Sequence, residues 1–479
     1  MSEGRVRGLW APPTRGLTVG LVLSITFVAS EALAVVTVMP LVAQDLGGLH
    51  LYGWVFSAFM LGSVVGIVAA GREADRRGPA IPFVAGLVLF GAGLAVAGLA
   101  PSMDVLVAGR VLQGLGAGAV PSVAYAAIGR SFPGPLQARM MAVLSTAWVV
   151  PGLAGPVVAA EVAHVFGWRW VFLGLLPVVA VAGAIAVPAL VRLGPPGAGP
   201  VREHQLIHGI VVAAGATMIL AGLTLIAGSG TRAAGGAAVG TVAAGAALIV
   251  AGVAAGLPAL RRLVPAGTLT ARPGLPATIL SRGLLTFTFF GADAFVTLAI
   301  TAVRHRSPLM AGIAVTGATL GWTAGAWVQA RLSETWPGRR FVRIGLVIVL
   351  AGIAGMVLVL QPRVPVAVGL VAWTVAGLGM GLAYAPLSLM MLRHAPPGRE
   401  GRASASLNLA DVLGTAIGIG VGGAAVAAAA GGDLRLGVAA AFAIAAAVGL
   451  IALAVTGRLP PGPSSAAPPP VTEQAAVRR

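Results

Sequence analysis

The sequence of 479 residues has no cysteine and no lysine, so all 31 of its basic residues are arginine. The missing cysteine excludes disulfides, thiolate catalysis and sulfur-ligated metal sites. Charged residues are also scarce, at 9% of the chain, whereas a soluble domain carries about 25%. That scarcity excludes a single water-soluble core.

Apolar residues make up 58% of the chain, and the mean hydropathy is +0.95. A helix needs about 20 predominantly apolar residues to cross a bilayer. The sequence therefore predicts an all-α integral membrane protein with fourteen transmembrane helices. The predicted spans are 17–40, 50–70, 80–100, 103–128, 139–164, 168–191, 206–228, 234–258, 275–303, 307–330, 338–360, 365–392, 403–430 and 434–457.

The arginines are distributed unevenly around these spans. If the N-terminus lies in the cytoplasm, 23 arginines are cytoplasmic, 6 lie on the other side, and 2 (Arg110 and Arg282) fall within spans. The positive-inside rule then predicts that both termini are cytoplasmic, in a bacterial cytoplasmic membrane. Ala32-Leu33-Ala34 looks like a signal-peptide cleavage site, but the apolar run continues to Met39, so we expect this segment to be retained.

The net charge of +17 could suit nucleic acid only if it lay on one folded face. Here the charge is scattered between hydrophobic runs. We therefore expect the lipid bilayer, and no nucleic acid, as a partner.

An internal repeat relates the two halves of the chain. Gly114–Gly118 recurs as Gly377–Gly381, shifted by 263 residues, and Ser30-Glu31-Ala32 is echoed by Ala292-Asp293-Ala294, shifted by 262. Six spans need roughly 190 residues, so the shift leaves room for two extra spans, although twelve spans would also keep both termini inside. The predicted domains are a cytosolic tail 1–16, a six-helix bundle 17–192, a linker with two extra helices 193–274, a second six-helix bundle 275–457, and a disordered cytosolic tail 458–479.

Three motifs follow one another in the first half. The loop after span two contains Gly71, Asp75, Arg76 and Gly78, whose glycines permit sharp turns. Its simplest interpretation is a positive-inside anchor. Span four contains Arg110-Val-Leu-Gln-Gly, in which the arginine either snorkels to the interface or pairs with an acid in the membrane.

The third motif, in span five, is formed by Pro151, Gly152, Gly155 and Pro156. The prolines remove backbone hydrogen bonds and kink a helix, while the glycines allow close helix contact. Simple packing of helices would need the same residues.

In this order the three motifs resemble the major facilitator superfamily, and Gly167-Trp-Arg-Trp-Val-Phe172 before span six is similar to its drug:proton antiporters. Fourteen spans resemble the longer antiporter branch. The resemblance implies two six-helix bundles around one central cavity that opens alternately to either side, with the Asp75 loop serving the conformational switch. Transporter repeats place their binding sites at the midplane between the halves.

Three acids fall well inside predicted spans: Glu31, Asp293 and Asp411. An ionisable group in the bilayer is a candidate proton or cation site, and Arg110 could modulate it. Because Glu31 and Asp293 are equivalent in the repeat, we expect them to face each other across the cavity. The alternative is that each acid makes a satisfied polar contact between helices.

Tryptophans within spans could stack on a cationic substrate, and Trp148, Trp322 and Trp373 are candidates, although packing is the commoner role. The six histidines show no metal-ligand spacing, and the sequence has no phosphate-binding loop. We therefore expect no metal, no cofactor and no enzymatic activity.

The function expected from these features is proton-coupled efflux of small hydrophobic or cationic molecules by a monomer, as in multidrug resistance. An exporter or flippase of lipids or glycolipids would use the same architecture. Proton-coupled uptake and a non-transporting membrane sensor are further alternatives.

Overall fold

The computed structural model describes residues 8–47, 52–195, 205–232, 236–396, 398–429 and 433–461. Within these ranges the chain is helical and contains no β-strand. The helices are α1 Pro12–Leu46, α2 Tyr52–Arg77, α3 Ala80–Gly98, α4 Met103–Ser131, α5 Gly134–Thr146, α6 Val149–Phe166, α7 Arg169–Leu173, α8 Leu176–Val191, α9 Gln205–Arg232, α10 Gly236–Leu263, α11 Leu275–Leu298, α12 Pro308–Leu332, α13 Gly338–Val359, α14 Val366–His394, α15 Glu400–Ala428 and α16 Leu434–Val455.

Twelve helices among the described residues are long and apolar enough to cross a membrane. Helices α2 and α12, with 26 and 25 residues, are not among these twelve. Helix α12 carries Thr316, Thr319 and Thr323, which line a cavity instead of facing lipid. The chain is thus a multi-pass membrane protein, and the predicted count of fourteen spans is not confirmed.

The two bundles repeat one packing scheme. In the N-terminal bundle (α1–α8), α4 packs against both α2 and α3, and α1 packs against α8. In the C-terminal bundle (α11–α16), α14 packs against both α12 and α13, and α11 packs against α16. The C-terminal bundle has its own buried apolar core, whereas the core of the N-terminal bundle extends to residues of the second half such as Ala326, Leu389 and Leu407.

The span formed by α5 and α6 is broken at Ala147 and Trp148. Pro151 has no amide proton, so it cannot bond to the carbonyl of Ala147 four residues earlier. That carbonyl instead accepts a hydrogen bond from Thr26 Oγ1 of α1, at 3.4 Å. The break places Trp148 in a turn within the span, where it is 43% exposed.

The linker helices α9 and α10 form a hairpin outside the two bundles. Helix α9 packs against α2 of the first bundle and α15 of the second. Apolar side chains from all four helices, among them Val68, Val212, Leu263 and Leu409, form a third buried cluster. The hairpin therefore covers the line along which α2 and α15 meet.

The two bundles also touch where α2 ends and α15 begins, which we call the Asp75 end. Ser404 Oγ of α15 donates to the carbonyl of Ser122 in α4, at 2.8 Å. Leu392 of α14 packs on Gly129 of α4. The first half of the chain is thus joined to the second at this end.

Candidate functional site

A cavity of about 440 Å³ lies between the two bundles. Its walls come from α1, α4, α5 and α6 on one side and from α11, α12, α14 and α15 on the other. Two acids, Asp293 and Asp411, line it. Its aromatic side chains are Tyr125, Trp148, Phe289, Phe290, Trp322 and Tyr384.

Among the residues that the structure describes, Asp293 is the cavity acid without a cation beside it. Its Oδ1 accepts a hydrogen bond of 2.7 Å from the indole Nε1 of Trp373. None of the ion pairs found in the described part of the chain includes Asp293. A carboxylate removed from water without a countercharge is costly, so this group favours a proton or a cationic ligand.

Asp411, in contrast, is neutralised within the protein. Its Oδ1 lies 3.1 Å from Arg282 Nε, and its Oδ2 accepts from the Tyr384 hydroxyl at 2.8 Å. Arg282 is fully buried and also donates to the Tyr384 carbonyl and to Ser388 Oγ, at 2.8 and 3.2 Å. This network ties α11, α14 and α15 together.

Glu31 is paired as well, but away from the cavity. Its Oε1 contacts Arg110 Nη1, and both side chains are almost fully buried. Arg110 further donates to Gln113 Oε1 at 2.6 Å and to the Val55 carbonyl at 3.1 Å, and its guanidinium lies 4.3 Å above the Phe59 ring.

The expectation that Glu31 faces Asp293 across the cavity is therefore wrong. Glu31 is not among the residues that line the cavity. Arg110 draws its carboxylate into the interior of the N-terminal bundle, between α1 and α4. Arg110 itself pairs with an acid and does not snorkel.

The repeat explains why the two acids differ. Trp373 follows Arg110 by the same 263 residues that relate the two glycine motifs. In each bundle, the acid of the first helix thus bonds to the equivalent position of the fourth. That partner is a cation in the N-terminal bundle and a neutral N–H group in the C-terminal one.

Of the three tryptophans predicted at the cavity, Trp148 and Trp322 line it. Trp373 does not, because it is fully buried behind Phe289, on which it stacks at 5.3 Å between ring centroids. Trp322 packs edge-on against Phe289 and Tyr384, with centroids 5.7 and 5.0 Å apart. These rings share the cavity with Asp293, an arrangement that suits an aromatic or alkyl cation.

The Asp75 motif, predicted as a loop, forms the last two turns of α2 and joins the two halves of the chain. The carboxylate of Asp75 accepts the backbone N–H groups of Gly401 and Arg402, at 2.6 and 2.8 Å, in the first turn of α15. Gly71 allows the approach, because a Cβ there would collide with Ala405 and the Gly401 carbonyl. Gly78, with φ of +87°, directly follows the end of α2 in a conformation that favours glycine. Arg76 lies at the surface, 3.8 Å from Glu73.

Asp75 makes this contact sensitive to pH. Burial raises the pKa of its carboxyl from 3.8 to about 6, outweighing the two backbone hydrogen bonds, which lower it. Relative to a state in which Asp75 is exposed, the contact is therefore most stable below about pH 4. It loses this stability as the pH rises through about 6.

We expect spin labels at Arg77→Cys and Arg399→Cys, both at exposed positions in a chain without native cysteine, to move apart as the pH rises from 4 to 8. Double electron–electron resonance measures the separation. With Asp75→Asn added, the distance distribution should no longer depend on pH over this range. A pH response that survives this substitution would assign the titration to another group.

The span-five motif lies beside two neighbouring helices. Pro151 is buried, and a Cβ at Gly155 would lie 3.8 Å from Leu33 of α1. Gly152 faces α12, where a Cβ would lie 3.5 Å from Thr319 Cγ2. The side chain of Pro156 lies outside the part that the structure describes.

Arg282 was predicted within a span but without a role, and Tyr384 was not predicted as a site residue. The signal was a second arginine within an apolar run. The contacts of Asp45 at the end of α1 were not predicted either: its carboxylate accepts hydrogen bonds from Trp168 Nε1 and from Arg169 Nη1, both at 2.9 Å. The hydrogen bond from Trp168 and then that from Arg169 lower the pKa of Asp45.

Comparisons with known proteins extend over most of the chain. The family model described as Major Facilitator Superfamily matches residues 17–290 and 278–478. A Mycobacterium tuberculosis protein named as a probable multidrug-efflux transporter is 28% identical over 88% of this chain and 89% of its own length. The multidrug transporter protein MdtP of Bacillus subtilis is 35% identical over 37% of this chain and 32% of its own length.

Solved structures share the fold at low sequence identity. The human organic anion transporter MFSD10 superposes with a TM-score of 0.69 at 15% identity, covering 93% of this chain and all of that one. The proton:xylose symporter XylE superposes with a TM-score of 0.64 at 12% identity, covering 93% of this chain and 96% of that one.

Proposed function

Because the chain belongs to the major facilitator superfamily, we propose that it exports small hydrophobic cations in exchange for protons. The observation that carries this proposal is Asp293, an acid on the cavity wall whose partner among the described residues is an N–H donor and not a cation. A proton and a cationic substrate would compete for this one carboxylate. Such competition couples the movement of protons to the movement of the substrate, because the carboxylate binds either a proton or the cation at one time.

Export as the direction of transport is supported by the relatives, whose names describe multidrug efflux. The aromatic side chains of the cavity support a broad range of substrates, since stacking and cation–π contacts are tolerant of ligand shape. Both walls of the cavity come from one chain, which supports a monomer as the working unit.

The energy available from protons is sufficient for useful accumulation. One charge crossing 100 mV supplies roughly 2.3 kcal/mol, and one pH unit supplies roughly 1.4 kcal/mol. Because an exchange of one proton for one monovalent cation moves no net charge, only the pH gradient drives it, and each pH unit would sustain about tenfold accumulation.

Transport in proteoliposomes tests the proposed exchange. An imposed pH gradient, with the membrane potential clamped by potassium and valinomycin, should drive ethidium against its own gradient into the compartment from which protons leave. A neutral polyaromatic of similar size should be transported less. Ethidium movement that is the same with and without the pH gradient would contradict proton exchange.

We further propose fourteen spans, with both termini and the Asp75 end in the cytoplasm. Helices α2 and α12 support this count, because each packs along the fourth helix of its bundle at an equivalent position. Reporter fusions should read cytoplasmic at Ala266 and at Gly199, which lies outside the described residues, and periplasmic at Gly230. A cytoplasmic signal at Gly230 would remove α9 and α10 from the count of spans.

A further inference from the structure

We propose that the C-terminal bundle has a second ligand site, separate from the central cavity, which binds a polyol phosphate. The site is a pocket of about 270 Å³ at the Asp75 end, where α12 ends, α13 begins and α14 ends. Among the described residues, none that lines this pocket also lines the central cavity. The proposal is therefore independent of the export of cations.

The wall of the pocket is basic. Arg393 and His394 in the last turn of α14 line it, and no acidic residue does so in the described part of the chain. His394 Nδ1 lies 2.9 Å from the Met390 carbonyl. Because a carbonyl can only accept, Nδ1 carries a proton and Nε2 remains for a ligand. Arg340 adds charge from behind the wall, since its guanidinium lies 4.1 Å above the ring of Trp336, which lines the pocket.

The beginning of α13 supplies further donors. Gly338 is the first residue of this helix and lines the pocket. The first N–H groups of a helix have no acceptor within the helix, and together with the helix dipole they favour an anion. A Cβ on Gly338 would lie 2.6 Å from Met390 Cε, so the glycine lets α13 begin close to α14. The donors thus come from two helices, which suits the tetrahedral oxygens of a phosphate better than a planar carboxylate.

Gln329 of α12 gives the pocket a hydrogen-bond acceptor. It lines the pocket and is 1% exposed, and its Oε1 has no hydrogen-bond partner among the described residues. A buried amide oxygen without a partner is costly, and a ligand hydroxyl removes that cost. The last torsion of a glutamine side chain is broad, so the amide can turn to meet the ligand. One turn later, Ser333 Oγ donates to the Ala330 carbonyl at 2.8 Å and keeps its lone pairs for a second hydroxyl.

These groups together select a phosphate that carries hydroxyl groups. Arg393 and the beginning of α13 hold the phosphate, while Gln329 and Ser333 accept hydrogen bonds from the hydroxyls. An anion without hydroxyls leaves Gln329 Oε1 unpaired. The same chemistry occurs in free polyol phosphates and in the headgroup of phosphatidylglycerol, and the end of a membrane-spanning bundle can meet either source.

Calorimetric titration of the full chain in detergent tests the site, with glycerol phosphate as the probe and methyl phosphate as the probe without hydroxyls. The wild type should bind glycerol phosphate about fivefold more tightly than methyl phosphate. Arg393→Gln, at an exposed position, should weaken the binding of both probes about tenfold. Arg331→Gln is the matched control, because Arg331 is exposed on α12 and lies outside the pocket lining. It should leave both affinities unchanged.

Gln329→Leu separates recognition of the hydroxyls from recognition of the charge. It should lower the affinity for glycerol phosphate about fivefold and leave that for methyl phosphate within about twofold. The unfolding temperature should not fall, because Oε1 loses no partner among the described residues. A lower unfolding temperature with an unchanged affinity for glycerol phosphate would assign Gln329 a structural role and overturn the proposal.

Native mass spectrometry of the protein released from nanodiscs distinguishes the two sources of the ligand. A lipid source is supported if phosphatidylglycerol is retained in preference to phosphatidylcholine and Arg393→Gln removes the preference. A free polyol phosphate is supported if calorimetry shows binding without this preference. No binding in either measurement, or equal losses in Arg393→Gln and Arg331→Gln, would overturn the site. Ethidium binding, measured in parallel, tests the proposed function separately, and Arg393→Gln should leave it unchanged.

Discussion

Replacing Asp293 with asparagine should weaken the binding of ethidium about 100-fold, or by about 2.7 kcal/mol. The affinity for a neutral polyaromatic compound should fall by less than about threefold. Two unit charges 4 Å apart interact with about 4 kcal/mol at an effective dielectric constant of 20. Part of that energy is offset by the cost of desolvating the ligand. Asparagine keeps the shape of the side chain and can still accept the hydrogen bond from Trp373.

Equilibrium fluorescence titration of the purified protein measures this change. Asp433→Asn is the matched control, because Asp433 is an exposed residue at the start of α16 and lies outside the cavity lining. It should leave both affinities as in the wild type. An Asp293→Asn protein that binds the cation and the neutral compound as the wild type does would show that the ligand charge is not recognised at Asp293.

Replacing Arg110 with leucine should destabilise the protein by about 3–5 kcal/mol, because it leaves Glu31 as an unpaired buried carboxylate. Glu31 is 1% exposed, and its Oε2 already lacks a hydrogen-bond partner among the described residues. The expected result is a large drop in the thermal unfolding temperature in detergent.

The double variant, Arg110→Leu with Glu31→Gln, should recover most of this loss, because no unpaired charge then remains buried. Monodispersity and the unfolding temperature of the single and double variants measure the coupling between the two sites. Equal unfolding temperatures for the single and double variants would contradict an essential ion pair. The double variant also separates folding from transport, since it should still bind ethidium at Asp293.

Much of the architecture could be predicted from apolar runs alone, because a bilayer requires about 20 of these residues in each helix. The sequence predicted a helical membrane protein, and the family suggested by its three motifs is confirmed by the match along the chain. Helix α12 was predicted as the span 307–330, but it carries threonines that line the cavity and is not among the twelve helices that are apolar enough to cross a membrane in the described part of the chain. Pro151 predicts a kink in span five, but the position of the break at Ala147 is seen only in the structure.

The internal repeat predicted which acids are equivalent, but not which acid is free. Equivalent positions in two bundles share a backbone location, whereas the partner on the fourth helix is Arg110 in one bundle and Trp373 in the other. Trp373 is the residue that the shift of 263 makes equivalent to Arg110. The pairing of Asp411 with Arg282 joins residues 129 positions apart, which spacing within one helix cannot reveal.

The central claim is that a proton and a cationic substrate exclude each other at Asp293. Proton release on addition of ethidium to detergent-solubilised protein in weak buffer, followed across pH, tests it most directly. The wild type should release up to about one proton for each ethidium bound, as expected when one carboxyl exchanges a proton for a cation. Asp293→Asn should release none at saturating ethidium, whereas Glu31→Gln should release as the wild type does. Undiminished release from Asp293→Asn, or its loss in Glu31→Gln alone, would contradict the account and place the exchange at Glu31 or Asp411.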